Sequence, residues 1–455
     1  MGVAARITTE INVPPSTIKR NIIASSKRKL EWLDSEQHNI FSGKVAIVGG
    51  APSIKNKIDE LKSFQKDGGM IFSLNGTHDW LVDNGINPDF FAMVDARPIN
   101  DFANKPLPGC VYMLASQCHI KTFRKLKDHH VLLWHCGHED FPEEEVKKQA
   151  IKKHGIDSSW TMVGARKTVG LTSIFLCYTL GFKDIYIYGM DSSFDEKQHA
   201  YKQKQNEKDL IVTARVGNQE FQTTPTLADQ SKMYGYVRGQ AEIEGGMTIH
   251  MRSEGLIKAM HEAKDSMNIE QREATKYMDM WDVDAYRVNS PGLYVLPTAL
   301  GIMMPPKGSK IIDFGIGSGK AAYALRQAGF NVLGVDIAPN CLDADKLTPM
   351  CIAPLWDIPD SVHGDYGYCT DVMEHIPEHK VDDVLQNIKK SIDKSVFFQI
   401  DLDQDGFGVV IGDILHLTIK PLEWWNEKLS KHFNVSFIEA SGRTLTALCE
   451  VKDES

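Results

Sequence analysis

A chain of 455 residues is longer than one ordinary domain, so two or three are expected. Its 42% apolar and 24% charged residues are those of globular protein and exclude low-complexity or collagen-like sequence. A formal net charge of -9 lacks the footprint of a general nucleic-acid binder. The basic cluster Lys19, Arg20, Lys27, Arg28 and Lys29 reads as a solvated surface stretch. No apolar run reaches the length of about 20 residues that a membrane helix needs. The N-terminus has no apolar core behind a positive segment, so no signal peptide is predicted. Residence in a cytoplasm, that of a host cell if the chain is viral, is the expectation. The eight cysteines form no C-x-x-C pair and several sit in apolar runs, which suits reduced, buried thiols. His135-Cys136-Gly137-His138 has metal-ligating residue types but no second pair of ligands nearby.

In chain order, residues up to about 42 are polar, with helical possibilities near 25–33. Strands are predicted at 44–48, 70–74, 90–94, 131–134 and 184–188, and helices at 55–65, 77–84 and 172–180. Residues 193–246 are polar and less periodic, and 198–209, dense in Lys, Gln and Glu, reads as a helix or exposed insertion. Residues 255–264 form a closing helix. The charged, Met-rich stretch 265–289 suits a linker or bridging helix, and Ser290-Pro291-Gly292 is punctuation. A second alternating block starts near 310. This alternation predicts an α/β fold of two Rossmann-like domains, each a mainly parallel sheet with helices on both faces.

The run from Val45 to Val48 enters the turn Gly49-Gly50-Ala51-Pro52-Ser53 and then a helix. Free amides at a helix start can bind phosphate. Ser53 either caps that helix or bonds a ligand. Further motifs are Ser73-Leu74-Asn75-Gly76, the run from Pro88 to Asp95, Thr168 to Ser173, and Leu180 to Asp191, followed by His199. Together these resemble archaeal 6-hydroxymethylpterin pyrophosphokinase-like proteins and the motility-associated-factor glycosyltransferases, over about residues 44–256. Met190 stands where Gln is more usual, and Glu244-Gly245-Gly246 follows the family's terminal motif only loosely. The resemblance implies a nucleotide or nucleotide-sugar site lined by Gly49, Gly50, Ser53 and Asn75. Asp95 and Asp191 would be acids near the reacting phosphate or sugar, and the ligands of Mg²⁺ if one is used. His199 would be a base toward an acceptor hydroxyl. Read as residues alone, the two aspartates also suit turns, and His199 a plain surface histidine.

The strongest local pattern is Ile311-Ile312-Asp313-Phe314-Gly315-Ile316-Gly317-Ser318-Gly319. An apolar strand ends in an acid, and glycines then let the backbone turn tightly and approach a ligand. A carboxylate beside this turn suits a charged ammonium, whereas a pyrophosphate needs a clean helix N-terminus. A second strand ends at Asp336, where a carboxylate can accept from two ribose hydroxyls. Leu355-Trp356-Asp357-Ile358-Pro359 and the run from Asp365 through Asp371 and His375 to Pro377 follow. In order and spacing these four elements resemble class I S-adenosylmethionine-dependent methyltransferases. Leu415-His416-Leu417-Thr418 and Glu423-Trp424-Trp425 resemble recurring patterns of such domains. The resemblance implies S-adenosyl-L-methionine held by Asp313, Gly315, Gly317, Gly319, Asp336, Asp357 and Asp371. A hydroxyl acceptor would need a base, for which His375 or His416 is the candidate; Glu374 and His375 also suit a helix start. Motifs of DNA base methylation are missing from the sequence.

The expected organisation is an N-terminal extension at 1–42, a pyrophosphokinase-like or glycosyltransferase-like domain at 43–264, a linker at 265–289 and a methyltransferase domain at 290–455. The expected function is methyl transfer to a small-molecule or glycan acceptor, with glycosyl or pyrophosphoryl transfer from a nucleotide donor in the first domain. A first domain that only binds nucleotide or substrate is the alternative, and an NAD-dependent dehydrogenase is a further rival.

Overall fold

Short continuous apolar runs build the parallel strands of the two large sheets. The computed structural model describes residues 13–25, 27–33, 40–98, 101–137, 162–163, 168–194, 199–201, 210–243 and 245–452. The chain divides into two units, Met1–Asp265 and Ser266–Ser455.

In the first unit the strands are β1 (Glu31–Trp32), β2 (Lys44–Val48), β3 (Met70–Leu74), β4 (Phe90–Met93), β5 (Val111–Ala115), β6 (Val131–Cys136), β7 (Met162–Val163) and β8 (Asp184–Tyr188). They continue with β9 (Val212–Val216), β10 (Gln219–Thr223) and β11 (Thr248–Met251). The large sheet runs β1-β6-β5-β4-β3-β2-β8-β11 with β7 beside β6, and every pairing in it is parallel. β9 and β10 form a separate antiparallel hairpin. Along β2, Val45 and Ile47 face one core while Ala46 and Val48 face another. A strand buried on both faces is the rule for parallel sheets covered by helices. Helix Ile58–Lys66 supplies Leu61 and Phe64 to one side. Helix Val169–Thr179, whose Leu171 amide bonds the Oγ1 of Thr168, supplies Leu171 and Ile174 to the other.

The second unit holds β12 (Lys310–Phe314), β13 (Asn331–Asp336), β14 (Met350–Ile352), β15 (Gly364–Thr370), β16 (Ile392–Asp401), β17 (Phe433–Ser441) and β18 (Thr444–Val451). Its order is β14-β13-β12-β15-β16-β18-β17. It is parallel from β14 to β16, and β18 is antiparallel to both neighbours. This departs from the dinucleotide-binding order, in which the sixth strand follows the fifth. Ile312 and Phe314 pack toward Leu385, Ile388 and Trp425, and Ile311 toward Leu296, Ala322 and Leu325.

Several elements differ from expectation. The N-terminal helix is Pro15–Ser25, and residues 31–32, read as helical, pair with β6 as strand β1. The polar stretch after 193 contains β9, β10 and the 19-residue helix Pro225–Ile243. The stretch 198–209, read as a helix or exposed insertion, lies almost wholly outside the described residues. The stretch read as a linker or bridging helix forms helices Ile269–Trp281 and Asp284–Val288, and it falls in the second unit instead of between the two. The first of these starts on a capping box between Asn268 and Gln271. Among the described residues no helix is long and apolar enough to cross a membrane.

Candidate functional sites

In an open α/β sheet, ligands bind outside the carboxyl ends of the strands where the order reverses. That point lies between β2 and β8 in the first unit and between β12 and β15 in the second.

In the second unit the glycine loop leaves β12 with Gly315, Gly317 and Gly319 at φ of +75°, +54° and +78°. L side chains are strained there. A Cβ on Gly315 would also lie 2.3 Å from Cγ2 of Val372, so the loop packs directly on the turn that follows β15. Asp313, at the end of β12, is 3% exposed and its Oδ2 makes no hydrogen bond. Burial, with repulsion from Asp336, raises its carboxyl to about 7. A buried carboxylate without a partner is costly. A cation brought to it would remove that cost. Asp336 is also buried. Its Oδ2 accepts the Gly317 amide at 3.0 Å and its Oδ1 the Ala338 amide at 2.9 Å. Burial raises its carboxyl despite these bonds. Each oxygen keeps a further lone pair for a ligand hydroxyl.

Asp371 adopts φ 52° and accepts from the amide nitrogen of Gln399 at 2.6 Å. Burial is the main cause of its rise to about 6. Asp357 is exposed, on a turn joined to the end of β13 through the Ala353 amide, which bonds the Asp336 carbonyl at 2.9 Å. Glu374 is fully buried and burial holds its carboxyl well above the usual range, while burial keeps the His375 imidazole well below its own. Of the two tryptophans near the end, Trp425 is a core residue and packs edge-on against Trp424.

Sequence reading missed the aromatic cover of this loop. A Cβ on Gly317 would lie 3.0 Å from the Trp281 ring. Tyr286 packs edge-on against Trp281. Burial, and then the field of Asp405, Asp336, Glu374 and Asp371, pushes the Tyr286 hydroxyl upward, so it stands among the acids of the site. Arg287 fixes this corner by donating to the carbonyls of Trp281, Asn340 and Cys341. Two aromatics closely spaced in a charged stretch were the available signal.

In the first unit, Gly49 sits so close to Gly189 that a Cβ would lie 2.4 Å from its carbonyl oxygen. The Gly49 amide bonds the Tyr188 carbonyl, and the Ala51 amide that of Gly189. Asp191, 4% exposed, takes three donors: the Ser53 amide at 2.9 Å, the Ser53 hydroxyl at 2.5 Å and the Glu254 amide at 3.1 Å. Burial raises its carboxyl and the Ser53 bonds oppose that. His199 lies at the same crevice, hydrogen-bonded to the backbone of Gly50 and edge-on to Phe194. Burial lowers its imidazole.

At the end of β3, Asn75 takes φ 49° and its buried Oδ1 has no hydrogen-bond partner. After β4, Asp95 is held in a two-pronged ion pair by Arg97, with bonds of 2.6–3.1 Å. Gly49, Gly50, Ser53, Asp191 and His199 are thus brought together, and Asn75 and Asp95 follow along the same sheet edge. Cys136 of the early metal-like run is a buried free thiol, and His138 lies outside the described residues.

Residues 20–197 match the family model described as 6-hydroxymethylpterin diphosphokinase MptE-like. The match overlaps the resemblance given above for about residues 44–256 as far as residue 197. No curated protein matches the chain. Among solved structures, the chain is similar to magnesium protoporphyrin IX methyltransferase (ChlM) from Synechocystis PCC 6803 with bound SAH. Identity is 14%, over 41% of this chain and 89% of that one, at a TM-score of 0.29. A TehB-like SAM-dependent methyltransferase from Corynebacterium glutamicum gives 20% identity over 40% of this chain and all of that one, at 0.30. N-methyltransferase NodS from Bradyrhizobium japonicum in complex with S-adenosyl-l-homocysteine gives 11% over 35% and 84%, at 0.27.

Proposed function

We propose that the second unit transfers a methyl group from S-adenosyl-L-methionine to a small polar acceptor. One observation carries this reading: the unpartnered Oδ2 of buried Asp313 beside a left-handed glycine loop at the reversal of strand order. A buried, unpaired carboxylate fits a donor bearing an ammonium and a sulfonium. Asp336 would accept from the ribose hydroxyls, and Asp371, Tyr286 and Trp281 would close the pocket. The cofactor supplies an activated methyl group. The chain supplies position, which by itself accounts for much of the rate of such a transfer. Calorimetry with S-adenosylmethionine and with NAD separates this reading from the dehydrogenase rival.

For the first unit we propose nucleotide binding at the crevice of Gly49, Gly50 and Ser53, with Asn75 Oδ1 as the unsatisfied acceptor that meets the ligand. Here a second reading is favoured by an observation. Both acids proposed for transfer chemistry are already engaged, Asp191 by three donors and Asp95 by Arg97. This supports a module that binds nucleotide or substrate without turning it over. Screening nucleotide sugars and pterins for turnover decides between the two: turnover lost in Asp191→Ala favours transfer chemistry, and nucleotide binding without turnover favours the binding module.

A further inference from the structure

We propose that Glu374, His375 and His416 form a binding site for one divalent first-row transition-metal ion. Among the described residues these three offer ligand atoms that all lie within 4.8 Å of one another. The two imidazoles are set up as ligands. Nδ1 of His375 faces the Leu415 carbonyl at 3.1 Å, and Nδ1 of His416 faces that of Asp403 at 2.6 Å. A nitrogen facing a carbonyl carries the hydrogen, which leaves the lone pair on Nε2. A metal-bound histidine usually donates its other N–H to a carbonyl or carboxylate in this way. The third ligand is short of a partner. Glu374 is fully buried, its Oε1 accepts the Asp401 amide at 3.1 Å, and its Oε2 accepts nothing.

The cluster is also held in place before any ion arrives. The Glu374 carbonyl accepts the amides of Leu417 and Thr418, and the Thr418 hydroxyl bonds the Ile376 carbonyl at 2.7 Å. These bonds tie the segment carrying His416 to the turn carrying Glu374 and His375. The His375 ring is edge-on to both His416 and Tyr277. The nearby Lys276 ammonium does not stand as an open positive charge. It pairs with buried Glu273 and donates to the Ile414 carbonyl.

Two imidazoles and one carboxylate suit Mn²⁺, Fe²⁺, Co²⁺ or Zn²⁺, and not Mg²⁺, which prefers all-oxygen ligation. Three protein ligands leave positions open, as catalytic sites do. The turn bearing the cluster follows Val372, which packs on Gly315 of the glycine loop. A metal here would lower the pKa of an acceptor hydroxyl. The acceptor O–H proton would pass to solvent, its oxygen would bond the methyl carbon, and the S–C bond would break to leave a neutral thioether. That role, though not the site, rests on the methyl-transfer reading, and it makes His375 a ligand instead of a base.

The test uses the full chain, freed of metal with a chelator and titrated with Co²⁺, Mn²⁺ and Mg²⁺. The expected result is one Co²⁺ per chain with strengthened visible absorption, displaced by Mn²⁺, and at least 100-fold weaker binding of Mg²⁺. Glu374→Gln, which keeps the side chain's shape, and His416→Ala should each weaken Co²⁺ at least tenfold, with thermal melts of the metal-free variants checking the fold. Failure of the wild type to bind Co²⁺, wild-type affinity in folded Glu374→Gln, or Mg²⁺ binding as tight as Co²⁺ would overturn the proposal. Titration of the same samples with S-adenosylhomocysteine separates the two ideas. S-adenosylhomocysteine binding by a chain that takes up no Co²⁺ ends only the metal site, and Co²⁺ uptake without S-adenosylhomocysteine binding ends only the methyltransferase reading.

Discussion

Both units open a crevice where the strand order reverses, yet Asp313 and Glu374 at one are in the opposite state to Asp191 and Asp95 at the other. In the second unit Asp313 and Glu374 are buried with an oxygen left unbonded, and burial pushes both carboxyls upward. In the first unit Asp191 is as deeply buried, but Ser53 and Glu254 satisfy it, and Asp95 is matched by Arg97. A strand-end aspartate is therefore not by itself a mark of chemistry. What separates Asp313 from Asp191 is whether the fold already meets the carboxyl's hydrogen-bonding needs. At the first unit's crevice the Asn75 amide oxygen is an unmet group among the described residues. Such a group recognises a donor on a ligand but moves no proton.

The comparison can be broken at its strongest point by Gly315→Ala. A side chain there meets both a left-handed backbone and the Val372 methyl at 2.3 Å. A loss on the order of 3 kcal/mol or more is expected in thermal or denaturant unfolding, with S-adenosylmethionine binding abolished.

Asp313→Asn should weaken S-adenosylmethionine about 100-fold, or roughly 2.7 kcal/mol, in calorimetry. It should also make the ligand-free protein more stable at pH 8. The sign follows from a folded-state pKa of about 7 against about 3.9 unfolded. Between those values the folded form holds a proton that the unfolded form has lost, so stability falls as pH rises through the window. Removing the group removes about one proton from that slope. Cofactor affinity in the wild type should instead rise with pH through about 7, as Asp313 ionises.

Asp191→Ala tests the opposite state. It strands the Ser53 and Glu254 donors, so a stability loss of about 2–3 kcal/mol is expected in denaturant unfolding. Asn75→Gly removes the unmet acceptor while easing the left-handed backbone. Nucleotide affinity should fall about tenfold, or about 1.4 kcal/mol, with stability changed by less than about 1 kcal/mol. The smallest effect is expected from Asp95→Asn. Its partly exposed ion pair with Arg97 contributes about 0.5 kcal/mol to stability. A large loss of turnover in that variant would restore Asp95 to chemistry and blur the distinction between the units.

The fold was largely legible because its strands are short apolar runs closed by glycine or acid. The glycine loop and Asp336 were legible for the same local reason. What stayed hidden depends on distant pairings or on ambiguous composition. Asp191 lies 138 residues from Ser53, and no local pattern shows that it is satisfied. His416 and Glu374 come together through distant pairings, among them the amides of Leu417 and Thr418 on the Glu374 carbonyl. Helix Ile269–Trp281 read as a linker because its face buries Glu273 and Lys276 beside Met280, a charged pair where sequence patterning expects apolar residues. Strand β1 is two residues long and exists by pairing with β6, so its local polarity pointed elsewhere.

Calorimetric titration of the intact chain with S-adenosylmethionine and, separately, with NAD bears most directly on the reading of Asp313. Stoichiometric binding of S-adenosylmethionine, weakened about 100-fold in Asp313→Asn and undisturbed by Asp95→Asn, is the expected result. Binding of NAD with no heat from S-adenosylmethionine would contradict it.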